Sequence, residues 1–105
     1  MKMLLVITGF LQEDFGNRNE ISKKESSFLF ENNIANDCNV KFFHLKRQDL
    51  RVLDNLLREH VLYNLSVFFT DGISETAQGI YKTYISERKS SVTFLEKLPR
   101  VLETC

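Results

Sequence analysis

The chain has 105 residues, and its 14 basic side chains cancel its 14 acidic ones. That length suits one domain of about 100–150 residues, expected over residues 1–105, and 43% hydrophobic residues supply a packed core and argue against disorder. Balanced charge argues against a general nucleic-acid binder, whose footprint is a basic surface.

Met3–Ile7 is a continuous apolar run closed by Thr8-Gly9, the pattern of a strand covered on both faces. It is too short for the apolar region of a signal peptide. The polar stretch Phe10–Asn19 reads as a loop. Ile21–Asn36 places apolar residues at 21, 28, 29, 30, 34 and 35 among Ser, Lys and Glu, which predicts an amphipathic helix ending near Asn36-Asp37. Val40–Leu45 is β-branched and aromatic, hence a strand. Lys41, His44 and Lys46 place that strand at a sheet edge.

Gln48–Leu62 carries Leu50, Leu53, Leu57 and Val61 at helical spacing, and Leu65–Phe69 is a second covered strand. Thr70-Asp71-Gly72 breaks that run. Ser74–Arg88 sets Ala77, Ile80, Tyr81, Tyr84 and Ile85 on one stripe, and Val92–Leu95 is the last strand. Pro99 fits the first turn of a short terminal helix through Leu102.

Strands alternating with helices demand parallel pairing, because parallel strands need long crossovers. The expected fold is a three-layer α/β/α, flavodoxin-like (Rossmann-like) domain with four mainly parallel strands in order 2-1-3-4. In such sheets ligands sit beyond the carboxyl ends of the strands, where the strand order reverses. The candidate ligand-binding residues are therefore Thr8, Gly9, Phe10, Gln12 and Asp14 after the first strand, and Thr70, Asp71, Gly72 and Ser74 after the third. Asp71 or Ser74 also suits the cap of the third helix, and Gly72 suits a turn residue with positive φ. Asp71 and Glu75 oppose a phosphate at that helix start.

Only Gly9 and the distant Gly16 stand where a dinucleotide fingerprint needs three spaced glycines, and no phosphate-loop lysine follows. Asp71 resembles the phosphoacceptor of response-regulator receivers in closing strand three. The acidic pair those domains carry after strand one is replaced by Thr8-Gly9-Phe10, and no fifth strand is expected.

His44 and His60 have no evident nucleophile partner in the sequence. Lys46, Arg47, Arg51 and Arg58 are interrupted by Asp49, Asp54 and Glu59, the pattern of a solvated face. Cys38 and Cys105 match no zinc-site spacing and read as two reduced thiols, with a single Cys38–Cys105 disulfide as the alternative. No metal and no cofactor is expected. Phe28 and Phe30 point about 200° apart on a helix and cannot both face the sheet. Some aromatic surface is therefore left for a protein partner or a homodimer.

The leading functional expectation is a small cytoplasmic binding or regulatory domain acting through protein–protein interaction, with no membrane partner and with nucleic acid disfavoured. No run approaches the roughly 18 apolar residues of a membrane helix. The alternative is an enzyme or binder for a nucleoside- or nucleotide-like small molecule, using Asp71 with Glu13 or Asp14. Whether the chain is an enzyme at all is left open by the sequence.

Overall fold

The structure, a computed structural model, describes residues 1–9, 18–34 and 38–98. Its elements run β1 (Lys2–Thr8), α1 (Arg18–Glu31), β2 (Val40–His44), α2 (Leu50–Glu59), β3 (Asn64–Phe69), α3 (Glu75–Arg88) and β4 (Val92–Leu95). The four strands form one sheet in the order β2-β1-β3-β4, and every pairing is parallel. This is a small α/β domain with a flavodoxin-like strand order. The edge position expected for Val40–Leu45 from Lys41, His44 and Lys46 is the one β2 occupies. The terminal helix expected after Pro99 lies outside the described residues.

β1 is central because its side chains are apolar in both alternating sets. Met3 through Thr8 are all buried. Met3, Leu5 and Ile7 join Leu53 and Leu57 of α2, Ile85 of α3, and Phe43, Leu65 and Val67 in one cluster. Leu4 and Val6 join Ile34 in the other, against which Phe28 and Leu29 of α1 pack with Phe42 and Phe68. Adjacent strand residues point to opposite faces, so α1 serves one set while α2 and α3 serve the other. Phe28 meets the Phe42 ring edge-on at 5.8 Å, whereas Phe30 is 85% exposed. The separation expected from their spacing is the one found.

Helix α1 corrects the expected boundaries. It begins at Arg18, inside the stretch read as a loop, and stops at Glu31 rather than near Asn36. The stop is an Asn-terminated Schellman motif. Asn33 takes φ 57°, its N–H bonds to the Phe30 carbonyl at 3.2 Å, and the Ile34 N–H bonds to the Leu29 carbonyl at 2.8 Å. Asn tolerates the left-handed conformation better than most residues, and this pairing satisfies carbonyls that the helix end would orphan. Ile34 and Leu29 then share one apolar cluster.

Helix α2 starts at Asp49, whose Oδ1 accepts from the Arg51 N–H at 2.9 Å. Helix α3 starts at Ser74, whose Oγ accepts from the Ala77 N–H at 3.1 Å. At the other end of α3, Lys89 is buried and its ammonium donates to the Val61 carbonyl at 2.9 Å. That bond ties the end of α3 to the connection leaving α2.

Cys38, expected as a thiol, is disulfide-bonded. The second cysteine of the chain, Cys105, lies outside the described residues. Among the described residues no helix is long and apolar enough to cross a membrane.

Candidate functional site

The carboxyl ends of β1 and β3 are knit together before either chain leaves the sheet. The Thr70 N–H donates to the Ile7 carbonyl at 3.0 Å, and the Gly9 N–H donates to the Thr70 hydroxyl at 3.0 Å. Thr8 and Thr70 are both buried. A Cβ added at Gly9 would stand 3.1 Å from Cγ1 of Ile73, so the close approach of these two exits favours glycine there. Gly72 takes φ 93°, the positive value expected of it.

The predicted site residues therefore divide. Thr8, Gly9 and Thr70 belong to the knot at the strand ends. Asp71 and Gly72 are exposed in the turn, and the Ser74 hydroxyl is committed to capping α3. Of the two residues suited to that cap, the structure selects Ser74 and leaves Asp71 out of it. Phe10, Gln12, Glu13 and Asp14 lie outside the described residues.

A cleft of about 490 Å³ opens where α3 begins beside the end of β4. Asp71, Glu75 and Glu96 put three carboxylates on its lining, with Lys82 as the cation among them. The Lys82 ammonium lies 5.9 Å from the centroid of the Phe94 ring, which also lines the cleft. Asp71 and Glu75 sit at the positive end of the α3 dipole, which accounts for acidic residues at that place without any ligand. Glu96, at the end of β4, has no such explanation.

At the other side of β1, sequence reasoning missed a hydrogen-bonded chain. The Thr8 hydroxyl lies 2.6 Å from His44 Nδ1, and His44 Nε2 lies 2.7 Å from Glu25 Oε2. The carboxylate is an acceptor only, so Nε2 carries the proton facing it. In the neutral imidazole, Nδ1 then accepts from the Thr8 hydroxyl. His44, for which the sequence showed no evident nucleophile partner, is thus held at both nitrogens.

The order hydroxyl, imidazole, carboxylate is that of a nucleophilic triad. Thr8, however, is fully buried, whereas a nucleophile must meet its substrate. The chain works as a brace linking β1, β2 and α1. A signal for it was present. Thr8 continues the alternation of Leu4 and Val6, His44 continues that of Val40 and Phe42, and Glu25 precedes Phe28 by one helical step on α1.

His60 has a local role at the end of α2, its Nδ1 lying 2.8 Å from the Leu56 carbonyl and its ring edge-on to Tyr63. The arginines of α2 pair with its own carboxylates, Arg51 with Asp49 at 2.9 Å and Arg58 with Asp54 at 2.8 Å. That is the solvated face the charge pattern implies. Among the described residues no group of three or more His, Cys, Asp or Glu is placed to hold a metal ion.

Comparison of the chain with models of known protein families, with characterised proteins and with solved structures gave no significant match.

Proposed function

We propose that the chain is a small binding or regulatory domain of three-layer, flavodoxin-like architecture that acts by gripping a protein partner at the carboxyl end of its sheet. The observation that carries this reading is the acidic cleft between the start of α3 and the end of β4. Asp71, Glu75 and Glu96 on its lining favour a cationic group, and Phe94 beside them offers apolar contact. An arginine or lysine presented by a protein combines both features, an aliphatic stem and a charged head. The exposed Phe30 adds apolar surface of the kind found at interfaces, so a second copy of the chain is a further candidate partner.

The test is a titration of isotope-labelled protein with short arginine- and lysine-containing peptides and, separately, with nucleosides and nucleotides. Peptides that shift the Asp71, Gly72 and Glu96 amides, and lose that effect in an Asp71→Asn, Glu96→Gln variant, support the reading. Nucleosides shifting those amides while the peptides do not would transfer the site to the small-molecule alternative, with Asp71 as its carboxylate. Cytoplasmic placement belongs to the same proposal. It is tested by locating the native protein and asking whether Cys38 is recovered there as a thiol, because disulfides persist chiefly in oxidising compartments.

A further inference from the structure

A second hollow, of about 450 Å³, opens between the first turns of α1 and the end of β2. That volume lies in the range of small-molecule sites, roughly 300–1,000 Å³. Ser22 and Glu25 line it from α1, while Phe42, His44, Arg47 and Gln48 line it from β2 and the turn beyond.

Two residues of opposite charge, Glu25 and Arg47, are on its lining. The His44 side chain is only 7% exposed and grips Glu25 Oε2 at 2.7 Å, while Thr8 holds the imidazole from behind at 2.6 Å. The Glu25 side chain is 31% exposed, so a carboxylate with a set orientation faces the hollow. Arg47 lines the hollow from the turn beyond β2, and the backbone of that turn is tied down. The His44 carbonyl accepts from the N–H groups of Arg47 at 3.1 Å and Gln48 at 3.0 Å, and the His44 N–H donates to the Gln48 side-chain oxygen at 2.8 Å.

We propose that this hollow binds a small zwitterion, an α-amino acid, with its ammonium on Glu25 and its carboxylate on Arg47. A simple anion would meet Glu25, and a simple cation would meet Arg47. A ligand carrying both charges satisfies both residues. Arg47 engages another group as well, and its guanidinium offers five N–H donors in a fork suited to a carboxylate. The Ser22 hydroxyl supplies a further donor or acceptor, and the Phe42 ring an apolar surface for the ligand's side chain. Because His44 and Thr8 already orient Glu25, binding loses less conformational freedom than with a mobile carboxylate.

The experiment is a chemical-shift titration with common α-amino acids, each beside its carboxamide, which lacks the negative charge, and its N-acetyl form, which lacks the positive one. At least one amino acid is expected to move the Ser22, Glu25, His44 and Gln48 amides saturably, with each blocked form about tenfold weaker or more. Arg47→Gln should erase the preference for the free acid over the carboxamide. Glu25→Gln should erase the preference for the free amine over its N-acetyl form. Arg47 is exposed, so that variant keeps the test open even if Glu25→Gln unfolds. The proposal is overturned if no amino acid moves these amides at millimolar concentration, or if the blocked forms bind as well as the free one. It stands or falls apart from the acidic cleft, whose reporters are Asp71, Gly72 and Glu96.

Discussion

Thr8 and His44 face each other in the register of β1 and β2, and their side chains are hydrogen-bonded at 2.6 Å. The bond closes the last rung of a parallel pair whose backbone pairing continues with the Leu45 N–H donating to the Thr8 carbonyl at 3.1 Å. Both side chains are buried, so each would be left without its partner if the other were removed.

Thr8→Val keeps the shape and deletes the hydroxyl. It should cost about 1–3 kcal/mol, the usual penalty for stranding a buried polar group. Glu25→Gln should cost less, because the amide oxygen still accepts from His44 Nε2. Urea unfolding of the two variants measures the difference, and a Thr8→Val protein as stable as the parent would show that the brace contributes nothing.

Ser74→Ala should lose roughly 0.5–2 kcal/mol, the ordinary value of an N-cap. Asp71→Ala should stay within about 0.5 kcal/mol of the parent, since Asp71 is exposed and takes no part in the cap. Thermal melts of the pair check it. The opposite ranking would return the cap to Asp71.

Asn33 offers a third measurement. Asn33→Gly should leave stability equal or higher, because glycine adopts φ 57° without steric cost. Asn33→Val should lose roughly 1–2 kcal/mol, as a branched side chain collides in that region. A tolerated valine, seen by denaturation, would mean that the Schellman ending of α1 is not held in solution.

The side-chain hydrogen bond from Arg51 holds the Asp49 carboxyl below its usual range, against a smaller opposing effect of desolvation. A carboxylate with a depressed folded pKa adds stability that is present above its unfolded pKa. That stability is lost as the pH falls through the folded value, here below about pH 4. Carboxyl chemical shifts followed through acid should show Asp49 protonating at lower pH than an ordinary Asp. Arg51→Ala should move it back upward, and an Asp49 titration unchanged by that substitution would remove Arg51 as the cause.

The succession of strands and helices is written in hydrophobic period, and from β1 to β4 it survives in the fold. The runs Met3–Ile7 and Leu65–Phe69 are apolar at every position or nearly so, which only strands central to a sheet require. Lys41, His44 and Lys46 mark Val40–Leu45 as an edge for the same reason in reverse, and Gly72 marks a turn that needs positive φ. Those features are local, fixed by the solvent each residue must meet or avoid and by its own backbone freedom. The ending of α1 was also local, but two consecutive asparagines carry a weaker signal than a glycine.

The brace and the two hollows are a different matter. Thr8, Glu25 and His44 stand far apart in the chain and come together only when Leu4 pairs with Val40 and α1 turns its Phe28 side toward the sheet. A shift of one residue in that register would send Thr8 and His44 to opposite faces. Glu96 likewise joins Asp71 and Glu75 only because β4 pairs with β3. Sequence by itself determined which segments are strands and helices and which strand lies at an edge, since burial is paid residue by residue. The tertiary structure alone decided which polar groups meet, because strand register and helix rotation are set by the packing of the whole apolar core.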